Sequence, residues 1–265
     1  MPSEDVEKVM RELKKEIGEE FLNRHLDIVL KSREMKILLE TLSRGKSSED
    51  LRRLKEFKAL VKKCRMIGYY EERRFRGSKG EEISIEERGS DLEKITDRIA
   101  SIFTHMNGRT ILDIGSGTFP IYLAKKLPAG TVYIAIDSRR EVIDDLRRFT
   151  YQGINLIPVL CDASKADFRS ILKDNGFLRA DLALLLRVLR VLMRTRKIDP
   201  LEFIESIPAS SILISEPTIS LVKKREIRRR ERNFLLTLAR KIEERGIYAN
   251  YEIWSFGNEI FLFLK

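Results

Sequence analysis

Apolar residues recur at intervals of three and four positions through the first hundred residues of the chain. Val9, Leu13 and Ile17 belong to the first such set, and similar sets follow up to residue 104. This spacing places apolar side chains on one face of a helix. We therefore predict that residues 4–104 are helical, except for a linker described below.

One helix of this segment combines an apolar face with a basic exterior. An N-cap signal, Ser47-Ser48-Glu49-Asp50, precedes it. Its apolar face carries Leu51, Leu54, Phe57, Val61 and Cys64, and its other faces carry Arg52, Arg53, Lys55, Lys58, Lys62 and Lys63. We predict that Gly68 ends this helix and that the glycine-containing residues 69–90 form an irregular linker.

The period of the pattern changes after residue 109. Short apolar runs occupy residues 110–115, 131–137, 155–162, 181–186 and 211–215, and helical patterns lie at 120–127, 139–149, 164–175, 189–205 and 223–245. This alternation predicts a parallel sheet covered by helices on both faces. Two further strands, 248–255 and 259–264, predict an antiparallel hairpin at the end of the sheet.

Glycines and acids stand at the ends of three successive strands. Gly115-Ser116-Gly117 follows the first strand, Asp137 ends the second and Asp162 ends the third. Glycines let a backbone approach a ligand closely, and an acid about 20 residues further on suits a pair of ribose hydroxyls. Each acid could instead cap a helix, and for Asp162 the two roles are evenly open. The series predicts a pocket for an adenosyl group.

Other nucleotide sites fit this turn less well. A dinucleotide fingerprint needs a third glycine where Pro120 stands, and a phosphate-binding P-loop needs a Gly-Lys-Ser/Thr sequence that the chain lacks. Two cysteines and two widely separated histidines support neither a disulfide framework nor a metal site. We expect no metal.

The segments that carry surplus positive charge indicate a polyanionic partner. The chain has 51 Lys and Arg against 41 Asp and Glu, a formal net charge of +10. Residues 51–76 hold ten basic residues against three Glu, a net of +7, and residues 223–232 hold seven against two, a net of +5. Ion pairing along a helix explains a balanced charged run but not these two, so we predict binding to nucleic acid.

The composition also bears on location and habitat. No apolar run is long enough to cross a membrane, and the N-terminal residues lack the apolar region of a secretory signal. We expect a reduced, cytoplasmic protein without a membrane partner. Glutamine occurs once, at Gln152, beside abundant Lys, Arg and Glu, which is typical of proteins from hot environments.

The predicted α/β domain resembles the Rossmann-like class I S-adenosylmethionine (SAM)-dependent methyltransferases. The run from Leu112 to Pro120 resembles the motif Asp-x-Gly-Cys-Gly-x-Asn-Pro, and the run from Asp181 to Leu192 resembles Asp-x-x-x-Leu-Leu-Lys-x-Leu-Pro-x-Leu. Both motifs belong to the aminoglycoside-resistance 16S rRNA (guanine-N7) methyltransferases, to which this domain is therefore similar. Three shorter stretches, Ser90–Lys94, Ser215–Leu221 and Gly257–Ile260, resemble further family motifs.

The resemblance covers residues 90–265 and implies SAM as the cofactor. It implies that Lys94 holds the SAM carboxylate, that Asp137 binds the ribose and that Leu186 lies near the reacting end. Gly115, Ser116 and Gly117 would line the methionine portion, and Asp162 with Ala163 the adenine. It also implies a helical RNA-docking domain, so we predict two domains, residues 1–105 and 106–265.

Several positions depart from the family pattern. Lys94 replaces an Arg and loses its two-pronged hydrogen bonding. Asp91 replaces a Thr, Phe119 replaces an Asn, and Arg190 replaces a Pro. These departures leave the target base and the RNA site open.

The residues after the fourth predicted strand bear on the reaction. Amino-methylating relatives usually carry Asn/Asp-Pro-Pro-aromatic there, whereas this chain has Leu185-Leu186-Arg187-Val188. Guanine N7 accepts a methyl group on a lone pair without losing a proton, which suits a site without an obvious base. We predict that Arg187 contacts the target nucleotide, extruded from its stack.

The basic segments would dock small-subunit rRNA, either free or in the assembled subunit. The predicted RNA-binding residues are Arg52, Lys55, Lys62, Lys63, Lys223, Lys224, Arg225, Arg228, Arg229 and Arg230. We expect a monomer. Two alternatives stay open: methylation of another RNA such as tRNA, and a non-catalytic RNA- or ribosome-binding protein of the same fold.

Overall fold

The chain forms two compact units, residues 1–83 and 84–265. A computed structural model describes residues 4–44, 48–75, 85, 88–89, 91–219 and 226–265. The boundary differs from the predicted one at residue 105. Helical periodicity continues across both units, but Ile95, Ile99 and Phe103 pack into the core of the second unit beside Ile111.

Four α-helices and a 3₁₀ turn make up the described part of the first unit. They are α1 (Glu4–Ile17), α2 (Glu19–Leu30), α3 (Arg33–Ser43), the 3₁₀ segment Ser48–Arg53 and α4 (Lys55–Phe75). Their apolar faces meet in one core that includes Leu13, Met35, Leu38, Phe57 and Leu60. Burial of these faces explains why short amphipathic helices are stable here.

Two local predictions for the first unit are wrong. Gly68 does not end its helix, and α4 continues to Phe75. A glycine inside a helix costs only about 1 kcal/mol, and the rest of the helix can offset this cost. Leu51 also lies outside α4, in the 3₁₀ segment that precedes it. The predicted linker at residues 69–90 overlaps α4 up to Phe75, and its residues 76–84 lie outside the described residues.

The second unit is a seven-stranded sheet with helices on both faces, which confirms the predicted fold class. Its elements are α5 (Asp91–His105), β1 (Thr110–Ile114), α6 (Phe119–Leu123), β2 (Val132–Asp137), α7 (Arg140–Arg148), β3 (Asn155–Leu160), α8 (Phe168–Asp174), β4 (Ala180–Leu186), α9 (Leu189–Thr195), α10 (Pro200–Glu205), β5 (Ala209–Pro217), α11 (Arg228–Glu244), β6 (Tyr251–Phe256) and β7 (Glu259–Leu264).

The strand order is β3-β2-β1-β4-β5-β7-β6. The first five strands in that order are parallel, and β7 pairs antiparallel with both β5 and β6. Successive residues of a strand face opposite sides of the sheet. In β1, Ile111 packs in the layer with α5, whereas Leu112 and Ile114 pack in the opposite layer with α8 and α11.

The remaining differences from the predicted elements are small. The predicted helix 189–205 is two helices, because Pro200 starts α10 and the Asp199 carboxylate caps it. Tyr248 precedes β6 and donates its hydroxyl to the Ala209 carbonyl at 2.8 Å. The predicted helix at 223–245 begins at Arg228 in the described part of the chain.

No helix among the described residues is both long and apolar enough to span a lipid bilayer.

Candidate cofactor and nucleotide site

The turn after β1 requires glycine at residue 115. Gly115 and Gly117 have φ values of +70° and +54°, which side-chain-bearing residues rarely adopt. A Cβ at Gly115 would lie 2.5 Å from Val188 Cγ2. The amides of Gly115 and Ser116 both donate to the Ile136 carbonyl, at 2.8 and 3.0 Å. The turn is therefore held against β2 on one side and against Val188, two residues beyond β4, on the other.

Asp137 lies at the end of β2 and contacts this turn directly. Its Oδ2 accepts the Gly117 amide at 2.9 Å, and its Oδ1 accepts the Arg139 amide at 2.9 Å. The Arg139 guanidinium also donates to both oxygens, from Nε at 3.0 Å and from Nη2 at 2.9 Å. The predicted ribose-binding acid thus lies beside the glycine turn, with both oxygens already hydrogen-bonded.

Asp162 lies next along the same sheet edge. The Cys161 amide donates to the Asp137 carbonyl at 3.0 Å, which places the ends of β2 and β3 side by side. The Asp162 carboxylate caps a 3₁₀ turn that begins at the buried Ala163, and it accepts from the Ser164 amide and hydroxyl at 3.1 and 2.8 Å. Asp162 therefore forms the helix cap that the sequence left open as its alternative role.

An arginine also covers Asp162. Arg196 Nε lies 2.8 Å from Asp162 Oδ2. Partial burial acts to raise the pKa of Asp162, but the Ser164 hydrogen bonds and the Arg196 charge outweigh it and lower the pKa. The carboxylate is therefore held in its charged form.

Leu186 and Arg187 lie at the end of β4. Leu186 is half-buried. Arg187 has a φ of +59° and donates its amide to the Ser215 carbonyl at 2.9 Å. A side-chain-bearing residue in this conformation stores strain, which is common at functional sites.

Glu259, at the start of β7, joins three polar side chains in the protein interior. Arg88 donates to its two carboxylate oxygens at 3.0 and 3.1 Å, Arg187 Nη2 lies 3.1 Å from Oε2, and the Ser215 hydroxyl donates to Oε1. Burial acts to raise the pKa of Glu259, but the charges of Arg187 and Arg88 outweigh it and lower the pKa to about 2. The carboxylate therefore stays charged and fixes both guanidinium groups.

Arg88 and Glu259 were missed as site residues in the sequence. Arg88 lies 4.8 Å from the centroid of the Phe119 ring, at the start of the helix that follows the glycine turn. Glu259 belongs to a stretch that resembles a family motif, but the sequence offers no signal that pairs it with an arginine 171 residues away. The pairing of β7 with β5 brings Glu259 beside Ser215, whereas Arg88 belongs to neither strand and reaches Glu259 from the segment before α5.

Lys94, the predicted ligand of the SAM carboxylate, is exposed in the first turn of α5. Its Nζ lies 5.9 Å from the centroid of the Phe256 ring, at the turn between β6 and β7. Lys94 thus lies against Phe256, whereas Arg88 lies against Phe119, the first residue of the helix that follows the glycine turn.

Two further buried acids lie close together, Glu216 on β5 and Glu231 on α11. Glu216 accepts the Arg190 amide at 3.2 Å, and Glu231 pairs with Arg190 and Arg230. Burial, followed by the nearby charge of Glu231, raises the pKa of Glu216 to about 8. The Arg190 guanidinium also stacks 4.4 Å from the centroid of the Phe234 ring. Arg190, which replaces a Pro in the family pattern, thus organises local packing.

The predicted RNA-binding residues differ in how available they are. In the first unit Lys55 and Lys62 are exposed and Lys63 is half-buried, but Arg52 pairs with Glu12 at 2.7 Å. In the second unit Arg229 is exposed, Arg228 pairs with Glu226 at 3.2 Å, and Arg230 pairs with Glu231. Lys223, Lys224 and Arg225 lie outside the described residues.

No family model and no curated protein matches the sequence. Solved structures do match. The 16S rRNA methylase ArmA matches with a TM-score of 0.50 and 19% identity, over 88% of this chain and 97% of its own. An rRNA methylase from Escherichia coli matches with a TM-score of 0.48 and 21% identity, over 92% and 99%. RmtF in complex with S-adenosyl-L-homocysteine matches with a TM-score of 0.48 and 16% identity, over 93% and 99%.

The likeness to ArmA and the topology of the sheet define the fold as that of a class I methyltransferase. Five parallel strands, a terminal antiparallel strand pair and a glycine turn after β1 are all present. The resemblance inferred from the sequence motifs is confirmed as a likeness of fold.

Proposed function

We propose that this protein is a SAM-dependent RNA methyltransferase that modifies guanine N7 in 16S-type small-subunit rRNA. The observation that carries the proposal is the contact between the glycine turn and the acid of the next strand, Gly117 N to Asp137 Oδ2. In an open α/β sheet, ligands bind at the carboxyl ends of the strands. The acid lies at that edge, on a fold shared with a 16S rRNA methylase.

The chemistry of this edge fits an adenosyl group. Asp137 offers a carboxylate for two ribose hydroxyls, and Asp162 offers an acceptor for an adenine amino group. The turn at residues 115–117 lets the backbone approach a ligand without a side chain at either glycine. One rearrangement is needed, because the Arg139 guanidinium occupies the Asp137 oxygens.

SAM, when bound, would supply a methyl group on a sulfonium that is transferable by direct displacement. The task of the protein is then to hold the acceptor atom in line with the methyl group, so positioning provides most of the catalysis. Guanine N7 has an available lone pair and no proton to lose. A general base at the end of β4 is therefore unnecessary, in keeping with Leu186 and Arg187 at that place.

Arg187 is our candidate for contact with the target nucleotide. Its strained backbone and its ion pair with Glu259 fix the guanidinium at the carboxyl edge, beside Ser215. A fixed guanidinium can donate to acceptors on a guanine edge or to a phosphate. Glu259 would act as a positioning residue, because it is buried and holds Arg187 in place.

Exposed basic residues would supply the affinity for RNA. Lys55 and Lys62 on α4, and Arg229 on α11, present charges that phosphates can pair with. Such contacts release counterions, so binding should fall steeply as salt rises. Arg52 and Arg230 would first have to exchange an acidic partner of this chain for a phosphate.

Methyl transfer to defined RNA fractions tests this proposal. The protein would be incubated with methyl-labelled SAM in three separate reactions, which contain assembled small subunits, naked 16S rRNA or tRNA. We expect label in small-subunit RNA, and a loss of at least about 100-fold in Asp137→Asn, since the ribose contact holds the cofactor in place. Asp167→Asn, which changes a capping acid of α8, is the matched control and should retain activity.

Each other outcome contradicts part of the proposal. Label in tRNA alone would replace the proposed substrate with tRNA. No label in any fraction, together with no binding of S-adenosylhomocysteine, would indicate a non-catalytic protein of this fold.

A further inference from the structure

The Asp137 carboxylate has no free acceptor position for a ribose. A carboxylate offers about four lone-pair positions. Four donors already approach this one: the Gly117 amide, the Arg139 amide, and Arg139 Nε and Nη2. The two hydroxyls of a ribose therefore need two of these donors to leave.

Only the guanidinium donors can leave without unfolding the edge of the sheet. The Gly117 amide is fixed by the turn, whose neighbouring amides bind the Ile136 carbonyl. The Arg139 amide is fixed because α7 starts at the next residue. The guanidinium, by contrast, reaches Asp137 through rotatable bonds of the Arg139 side chain, which is 13% exposed.

We propose that the Arg139 side chain is a displaceable cover on the ribose site, which competes with the cofactor for Asp137. This inference rests on the proposed function, because it takes the ligand to be an adenosyl compound. In the free protein the guanidinium satisfies a carboxylate that is only 5% exposed. On binding, the two hydroxyls take its positions on Oδ1 and Oδ2, and the arginine turns toward solvent.

The Arg139 side chain lowers cofactor affinity, because the hydrogen bonds that it loses are stronger than those that the ribose hydroxyls form. Hydrogen bonds from a charged donor to a carboxylate are about twice as strong as those from neutral donors, and the ribose hydroxyls are neutral. Part of the binding free energy is therefore used to displace Arg139. A protein without the guanidinium has water at these positions, which a ribose displaces more easily.

Calorimetric titration with S-adenosylhomocysteine tests the inference without requiring catalysis. We expect Arg139→Ala to bind this ligand about ten-fold more tightly than the wild type, since one charge-assisted hydrogen bond is worth about this factor. Arg139→Lys keeps a charge but loses the fork, and should fall between the two. Arg140→Ala, an equal charge change at an exposed neighbouring residue, should stay within about two-fold of the wild type.

A second ligand pair assigns the effect to the ribose hydroxyls. Arg139→Ala should strengthen binding of adenosine but leave binding of 2′,3′-dideoxyadenosine unchanged. If the wild type binds S-adenosylhomocysteine and Arg139→Ala binds it equally or more weakly, Arg139 does not compete with the ribose. That result would overturn this inference but would not contradict the proposed function. No binding by the wild type or any variant would overturn the proposed function, and the competition with it.

Discussion

Arg187, whose side chain is only 10% exposed, combines three features that bear on its role. Its φ is +59°, its guanidinium pairs with a fully buried carboxylate, and it directly follows the central strand β4. A left-handed conformation costs roughly 1–2 kcal/mol for an L-residue. Such strain is retained mainly at functional sites, where the direction of a side chain matters. The strain at Arg187 therefore supports a role in positioning the target nucleotide.

Replacement of Arg187 should separate turnover from cofactor binding. We expect Arg187→Ala to lower kcat by about 100-fold or more, because a displaced acceptor loses its alignment. Its affinity for S-adenosylhomocysteine should stay within about two-fold of the wild type. Steady-state kinetics on small subunits and calorimetry measure the two quantities.

Arg187→Lys is the folding control for this experiment, because it keeps a cation beside Glu259. Full turnover by Arg187→Ala in a sample with a wild-type melting curve would refute the role of Arg187.

Glu216 should make the free energy of unfolding depend on pH near neutrality. Burial raises its pKa from 4.5 to about 8 in the folded protein. Between these values the unfolded chain loses the proton while the folded chain keeps it, so stability falls as pH rises from about 4.5 to about 8. Above pH 8 both states are ionised and this contribution levels off.

Glu216→Gln should remove this dependence, because glutamine keeps an acceptor for the Arg190 amide and has no proton to lose. Urea unfolding at pH 5.5 and pH 8 should show the variant gaining stability relative to the wild type at the higher pH, on the order of 1–3 kcal/mol. Glu205→Gln, an exposed change on α10, should follow the wild type. If the free energies of unfolding of Glu216→Gln and the wild type differ by the same amount at both pH values, Glu216 does not cause the pH dependence.

At the scale of elements, the glycine turn after β1 is shaped by packing as well as by any ligand. The Gly115 backbone lies against Val188, so β1 and the segment after β4 can approach only if residue 115 lacks a Cβ. The same approach brings Arg187 to the glycine turn's edge of the sheet. The turn therefore links the predicted cofactor pocket to the predicted nucleotide contact.

Gly115→Ala should destabilise the protein by about 2–4 kcal/mol, from backbone strain and from the clash with Val188. Gly176→Ala provides a matched control, because Gly176 also has a positive φ, +85°, but has open space where a Cβ would lie. It should cost only about 1–2 kcal/mol.

A double-mutant cycle isolates the clash. Adding Val188→Ala should restore part of the lost stability, with a coupling free energy of roughly 1–2 kcal/mol measured by denaturant unfolding. Strict additivity, or equal losses in Gly115→Ala and Gly176→Ala, would show that Val188 does not set the requirement for glycine.

The elements that the sequence predicts best are those whose burial pattern is continuous. The strands of the parallel sheet are apolar on both faces, so their runs stand out, and the parallel order then places Gly117, Asp137 and Asp162 along one edge. Helix ends were harder to predict, as Gly68 shows, because packing against neighbours outweighs the intrinsic cost of one glycine.

At the scale of the whole chain, sequence reasoning was weakest for long-range polar pairs. Arg88 and Glu259 are 171 residues apart, and spacing along the chain does not show that the segment before α5 meets the start of β7. The arginine cover on Asp137 depends on side-chain rotamers, which hydrophobic patterns do not specify. The boundary between the units also differs from the prediction, since helical periodicity does not show which core a helix joins.

The charge of the whole molecule supports the same function as the site. A formal net charge of +10 favours approach to a polyanion. Exposed lysines in the first unit and an exposed arginine in the second give both units basic surface. The bias toward charged residues predicted a hot habitat, and that stays a prediction.

The central claim is the identity of the modified atom, so the decisive measurement is the nucleoside that receives the methyl group. Small subunits would be incubated with the protein and methyl-labelled SAM, and the digested 16S rRNA would be analysed by mass spectrometry against synthetic standards. The account predicts labelled N7-methylguanosine in the wild type and its loss in Arg187→Ala. Label on any other nucleoside, or on an exocyclic amine of guanine, would contradict the proposed reaction.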